Sequence, residues 1–499
     1  MAAIGVAEHA PSVVADRRAE ATPATWLLLA GVTAVAVALR VLFAGEQSLG
    51  YEEVFTRSIV NQSSLSAVWN GVRATESTPP LYYVLSWLWV KLSGSDGAVA
   101  LRTISLLAGS LSVPAAFFAM RYFVSVRLAL VVAWLCAISP LLFAYSLYAR
   151  SYALLVATAT LSVWALGALL ERPSWRRWTL WALAISACLW THYFAVFLLV
   201  AQAGVLLVRL LAARGSLLAC LAAVAALTAP LWPVFIVQSG ASSRTAFIAA
   251  QPLSGRLEGV VRQFAMGTNV PASWLEAAGI VVAGVAVAFA ALRTRRVAPN
   301  QVLGAIAVIG AGVPIAAAVT GIDDQLLPRN LLGVWICVAP FAAHGLTRLR
   351  SAPLALYSVI CLATVVATQS DWRYGVSDWG GASTRIEAKA RGEPVAVMPG
   401  LEFAVAGVYL HRGRLRAPIA TTDLWVMVQP ERGAGERALT PVANPPLAQL
   451  WGSQFHAVAE IDYHGFRMIH LQAGSPTSVA PAPADNGLPA TPDAFVLAP

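Results

Sequence analysis

The chain has 499 residues, of which 58% are hydrophobic and only 12% charged, with a mean hydropathy of +0.67. Soluble domains carry about 25% charged residues, so this composition excludes a soluble enzyme and points to an integral membrane protein. The net charge of +9 sits largely in arginines between apolar runs, where it orients spans; no nucleic-acid partner is expected.

Residues 1–24 are polar, carry Arg17 and Arg18, and are expected to be a cytoplasmic N-terminal segment. From Thr25 to Ala44 runs an apolar stretch of roughly twenty residues, long enough to span a bilayer. No small-residue cleavage site follows it, so it reads as a retained first helix rather than a removed signal peptide. Further spans are expected near 98–120, 128–145, 150–170, 177–191, 193–211, 217–237, 274–292, 301–320, 328–346 and 351–369. With the first, these make about eleven transmembrane helices in an all-α polytopic domain, 25–369. All five cysteines (Cys136, Cys188, Cys220, Cys337, Cys361) fall inside these apolar segments, which leaves no disulfide framework or zinc spacing.

Basic clusters set the orientation. Arg121 with Arg127, Arg172 with Arg176 and Arg177, Arg209 with Arg214, Arg293 with Arg295 and Arg296, and Arg348 with Arg350 are expected to face the cytoplasm. Segment 81–92 is apolar but only about a dozen residues long, too short to cross, and a crossing there would turn every basic loop outward. It is expected to lie along the outer surface, with Tyr82, Tyr83, Trp87 and Trp89 as interfacial aromatics. The outer loops are then 45–97 and 238–273. After the last span, 370–474 has ordinary soluble composition. Pro394–Met398 reads as a buried strand, Leu401–Leu410 as a short helix, and His456–Ile461 with Gly465–Leu471 as a hairpin turning at Tyr463-His464-Gly465. A small extracytoplasmic α/β domain is expected there, followed by a Pro/Ala-rich disordered tail, 475–499.

Polar residues gather on the outer side. Glu52 and Glu53, in Ser48-Leu49-Gly50-Tyr51-Glu52-Glu53, are adjacent carboxylates at a membrane surface. Adjacent acids can divide two tasks, one serving as a general base and the other as a ligand for a divalent cation. The competing reading is two solvated acids at a helix N-terminus. Thr78-Pro79-Pro80-Leu81-Tyr82-Tyr83 makes a rigid approach to the short helix, with Thr78 and Tyr82 as candidate cavity residues beside Tyr51 and Tyr148. Arg40, Arg150 and Arg329 sit on the outer side against the positive-inside tendency, where a guanidinium fork suits a phosphate. Snorkelling, or pairing with Asp323 or Asp324, would explain them structurally. His192, before Tyr193, marks an outer helix junction; a lone histidine there is more often a satisfied polar residue than a ligand.

Taken in order, Leu49-Gly50-Tyr51-Glu52-Glu53, Thr78-Pro79-Pro80-Leu81-Tyr82-Tyr83, Ser139-Pro140, Tyr145-Ser146 with Ala149-Arg150-Ser151-Tyr152, Thr191-His192-Tyr193 and Pro328-Arg329-Asn330 resemble membrane glycosyltransferases of the GT-C fold. The likeness is to the protein-mannosyltransferase-like group (glycosyltransferase family 39), related to the lipid A aminoarabinose transferases, from about residue 25 to 370. The resemblance implies inverting transfer of a sugar from a polyprenyl-phosphate donor, among membrane lipids, to an extracytoplasmic glycan, lipid or protein. Glu52 matches the presumed base and Glu53 the second acid, the two residues that would hold a divalent cation if one is used. Arg150, His192 and Tyr193 match positions at the donor phosphate. Three positions depart from the family pattern: Glu52 replaces Asp, Thr78 replaces His before Pro-Pro, and Leu147-Tyr148 replace Gln-Glu. The rival reading is a non-catalytic polyprenyl-lipid binding or transport protein of the same fold; a transporter would carry charges near the bilayer midplane, whereas these gather at one face.

Overall fold

The computed structural model describes residues 21–241, 245–294, 298–322, 324–348, 351–432, 436–443, 454–481 and 494–498. The cytoplasmic segment expected over 1–24 therefore lies almost wholly outside the described residues, as do Asp323 and much of the expected tail. The chain divides into two compact units: 1–42 with 59–268 and 272–365, and 43–58 with 269–271 and 366–499.

The first unit is helical. Among the described residues, eight helices are long and apolar enough to cross a membrane, or up to nine if a bent pair is one span. Each expected span coincides with a helical run, the two shorter ones being Trp175–Thr191 and Ala195–Arg209. The bent pair is Val126–Ile138 and Pro140–Ser146, which meet at 55°. Pro140 has no N–H to continue the first helix and suits the first turn of the second, while the Ser139 hydroxyl accepts from the Leu142 N–H at 3.4 Å. Tyr152–Glu171 is the most enclosed span, with 72% of its apolar window buried. A buried polar chain joins it to its neighbours: Trp181 Nε1 donates to Gln202 Oε1 at 2.8 Å, and Gln202 Nε2 donates to Ser162 Oγ at 2.9 Å. Such groups persist in an apolar interior only when paired.

The outer loop 45–97 is mostly helical: Leu65–Thr75, capped by Ser64, joins the short helix expected near 81–92, which runs Leu81–Ser93 and is ended by left-handed Gly94. A helix of 13 residues extends about 20 Å, short of a bilayer core of about 30 Å. Its aromatics correct one expectation. Tyr82 and Tyr83 are fully buried with Ile59, Val68 and Val72, not interfacial, because Tyr82, Ser86 and Val90 recur at helical spacing and form the inward stripe.

The second unit is built on a six-stranded sheet: β1 (Val395–Met398), β2 (Gly413–Arg414), β3 (Ile419–Val428), β4 (Phe455–Tyr463), β5 (Phe466–Val479) and β6 (Phe495–Ala498). The strand order is β2-β6-β1-β3-β5-β4, with β1 and β3 parallel. β1 is buried at all four positions because both sheet faces are covered. Ala396, Leu424, Val426, Ile469 and Val496 form a core on one side, while helices Trp379–Ala390 and Phe403–Leu410 accompany the other. The expected hairpin turns at His464 and Gly465, both with positive φ (46° and 82°), as a two-residue turn between right-twisted strands requires. The expected tail is corrected at both ends. β5 runs on to Val479, and Phe495-Val496-Leu497 return as β6 between β2 and β1, because three apolar residues complete an otherwise open edge of the buried sheet.

Candidate active site

In the helical unit, Tyr145–Tyr152 forms the centre of a polar cluster. Arg150 is buried, and its two terminal nitrogens donate to the two carboxylate oxygens of Glu76 at 2.8 and 2.6 Å. This fork-to-fork pair was not anticipated, and it changes the expectation for Arg150, whose charge is answered by a carboxylate within the protein. The Arg150 guanidinium also lies 5.8 Å from the Tyr83 ring centroid, and Tyr83 Oη and Thr78 Oγ1 are 3.2 Å apart. Beneath the same turn, Ser105 Oγ donates to the carbonyls of Tyr148 and Arg150 at 2.7 and 3.2 Å and stands 3.0 Å from Tyr82 Oη. Thr78, Tyr82, Tyr148 and Arg150 are thus brought together, although Tyr82 is sealed from solvent and braces the turn.

Tyr152 links this group to the remaining candidates. Its ring stacks on Tyr148 at 6.5 Å, lies 4.8 Å from Tyr145 and 6.1 Å from His192, and carries the Arg329 guanidinium 5.6 Å from its centroid. His192 caps helix Trp175–Thr191, accepts the Phe194 N–H at 3.3 Å on Nδ1, and lies within electrostatic range of Arg329 and Arg150. Tyr193 turns elsewhere: its hydroxyl donates to Gln238 Oε1 at 2.8 Å, and Gln238 Nε2 donates to the carbonyls of Val72 and Thr78. It therefore ties the outer loop to the helices. Arg329 is not held by Asp324, which pairs with Arg256.

Arg40 departs from its expectation. It is fully buried, donates to Ser146 Oγ at 3.0 Å and to the carbonyls of Ala36 and Ala137, and lies 5.9 Å over Phe143. Those bonds engage it in helix packing, because a guanidinium inside an apolar bundle must spend its donors on nearby carbonyls and hydroxyls.

The acidic pair belongs to the other unit. The segment before it is pinned. Gln47 Nε2 donates to Gln369 Oε1 at 3.0 Å, Ser48 Oγ accepts from the Gly380 N–H at 3.0 Å, and the Leu49 N–H donates to Tyr409 Oη at 2.6 Å. Helix Tyr51–Val60 follows, with Glu52 and Glu53 in its first turn. Glu53 is buried and its Oε2 accepts the Gly50 N–H at 2.9 Å, the carboxylate half of a capping box whose other half Gly50 has no side chain to supply. One of its oxygens is thereby committed, which leaves Glu52 as the partly open acid of the pair and limits what Glu53 can offer a cation. The helix-terminus reading thus accounts for Glu53.

Sequence reading also missed Glu402, whose carboxyl burial pushes up to about 7. Burial likewise raises the Tyr51 phenol, with the Glu402 and Glu52 charges adding to it. Tyr51, Glu52 and Glu402 thus share one local field. No spacing signal marks Glu402, which lies some 350 residues along the chain. A cavity of about 300 Å³ in the same unit is lined by Arg57, Phe403, His411 and Arg414 among others, and neither acid lines it.

Residues 77–233 match the family model described as dolichyl-phosphate-mannose-protein mannosyltransferase. Among solved structures, the fold is similar to ArnT from Cupriavidus metallidurans bound to undecaprenyl phosphate, with a TM-score of 0.57 and 13% identity over 90% of this chain and 98% of that one. The apo form of that protein matches with a TM-score of 0.57 and 12% identity, over the same shares. The archaeal oligosaccharyltransferase AglB from Archaeoglobus fulgidus is more distant, with a TM-score of 0.44 and 14% identity over 74% of this chain and 58% of that one. No curated protein matches the sequence. The chain is a multi-pass membrane protein of the GT-C fold with a small C-terminal sheet domain, and residues 77–233 resemble the mannosyltransferase family model.

Proposed function

We propose that this chain is a membrane glycosyltransferase that transfers a sugar, with inversion, from a polyprenyl-phosphate donor to an extracytoplasmic glycan, lipid or protein at the plasma membrane. The observation that carries the reading is the overlap of the matched segment 77–233 with Tyr148 and His192, which meet the Tyr152 ring, and with Thr78 and Arg150, which meet Tyr83, all in the helical unit. The similarity of fold to a protein crystallised with undecaprenyl phosphate supports a polyprenyl-phosphate donor.

In this reading Glu52 accepts the acceptor hydroxyl proton, and Arg329 and His192 contact the donor phosphate. The Glu76–Arg150 pair holds the shape of the turn beside them. Glu53 orients Glu52 by capping their common helix; a cation, if one is used, would be held mainly by Glu52. As the acceptor oxygen bonds to the anomeric carbon and the bond to polyprenyl phosphate breaks, the acceptor proton needs a base and the departing phosphate needs positive contacts.

Reconstituted protein given a panel of polyprenyl-phosphate sugars and an acceptor-containing membrane extract should release free polyprenyl phosphate, and Glu52→Gln should reduce the rate by about a hundredfold or more. Full rates in Glu52→Gln would overturn its role as base. Saturable lipid binding without release from any donor would favour the carrier-binding reading.

A further inference from the structure

Three residues outside the candidate active site converge on the sheet of the C-terminal unit. Asp423 lies two residues before Trp425 on β3, and Trp425 is in register with Val395 on β1 and His470 on β5. Glu393 lies two residues before Val395. A period of two therefore sets Glu393, Asp423 and His470 on one face of three adjacent strands. Their ligand atoms all lie within 4.8 Å of one another. His470 Nε2 is 3.0 Å from Asp423 Oδ1 and 3.9 Å from Glu393 Oε2. Oxygen and nitrogen ligands about 2.1 Å from a shared tetrahedral cation stand about 3–4 Å apart, so little movement is needed to close the set.

Two further observations point to a cation. Among the described residues, neither carboxylate pairs with lysine or arginine, although Glu387 holds Arg412, Asp371 holds Arg373 and Glu460 holds Arg467 in the same unit. Two acids thus face a single imidazole. Each prospective ligand is also oriented from outside the trio. Trp425 Nε1 donates to Glu393 Oε2 at 2.7 Å, Gln472 Nε2 to Asp423 Oδ1 at 3.2 Å and Thr422 Oγ1 to Asp423 Oδ2 at 2.6 Å. The indole of Trp425 lies flat on the His470 ring, at 4.7 Å and 3°. Outer groups that fix carboxylate and imidazole orientation are a regular part of protein metal sites.

We infer that Glu393, Asp423 and His470 form a site for a divalent transition cation such as Zn²⁺ or Co²⁺, separate from the Glu52–Glu53 acids. One imidazole with two carboxylates suits these metals better than Ca²⁺ or Mg²⁺, which take oxygen ligands. The site ties the chain entering β1 to β3 and β5, so its role is to brace the sheet domain.

The test is Co²⁺ titration of the full-length, detergent-solubilised, chelator-treated protein, read by visible absorption, with Zn²⁺ as competitor. Wild type is expected to take up one equivalent with ligand-field bands that Zn²⁺ abolishes, and Zn²⁺ should raise its unfolding midpoint. His470→Gln and Asp423→Asn should lose that equivalent, Trp425→Phe should bind about tenfold more weakly, and Glu52→Gln should keep it. Asp423→Asn decides the outcome if His470→Gln does not fold. The inference fails if wild type shows no such bands, or if His470→Gln and Asp423→Asn bind Co²⁺ as wild type does, in which case the trio is a hydrogen-bonded cluster only.

Discussion

Removing one partner of the Glu76–Arg150 pair should be among the most damaging single changes in the helical unit. Their side chains are 4% and 10% exposed, and both terminal nitrogens of Arg150 are engaged at 2.6–2.8 Å. With charge centres about 4 Å apart and an effective dielectric near 20, the attraction is about 4 kcal/mol. Desolvation of both ions offsets much of this in the intact protein, but a lone buried ion keeps its penalty without the attraction. Glu76→Gln and Arg150→Met are each expected to cost about 3–5 kcal/mol, whereas the double substitution should recover most of that loss. Arg150→Lys should not rescue, since an ammonium cannot span both oxygens. The assay is equilibrium unfolding of the four-member cycle in one detergent, with polyprenyl-phosphate release measured alongside. A coupling energy below about 1 kcal/mol would place the pair with exposed surface bridges and refute the argument.

Three other outcomes are expected. Glu402 has a folded-state value of about 7 against an ordinary 4.5, so the stability it contributes is complete below its unfolded value and is lost as pH rises through 7. Glu402→Gln should flatten the unfolding midpoint between pH 5 and 8, gaining at most about 3 kcal/mol at the alkaline end, less what partial exposure screens; coincident pH profiles would refute this. Gln238→Leu strands the Thr78 carbonyl and the Tyr193 hydroxyl, while the Val72 carbonyl keeps the Glu76 N–H, and should cost about 1–3 kcal/mol, with faster proteolysis of the 65–93 loop as a readout. Gly345→Ala would place a Cβ 2.1 Å from the Ala286 carbonyl oxygen, a backbone atom that cannot rotate away, so expression or midpoint should fall by the equivalent of about 2 kcal/mol or more; an unchanged midpoint would show that the helices separate freely.

Hydropathy alone located the apolar helices, eight or nine of which among the described residues are long enough to cross, because an apolar bilayer demands long runs of apolar residues whatever packs against them. Local chemistry likewise placed the turn at Tyr463-His464-Gly465, since a left-handed glycine acts within a few residues, whereas the break at Ser139-Pro140 falls inside 128–145, read from sequence as one span. What one dimension could not carry was partnership. Glu76 is 74 residues from Arg150, the Gln47–Leu49 segment is pinned by side chains and backbone beyond residue 368, and Glu402 shares a field with Tyr51. Glu53 became a helix cap, Arg40 a packing donor and Tyr82 a buried brace only once neighbours were in place. Sequence determines which groups the chain owns and how each short stretch bends; tertiary structure decides which charges meet, because pairing depends on distances that packing alone sets.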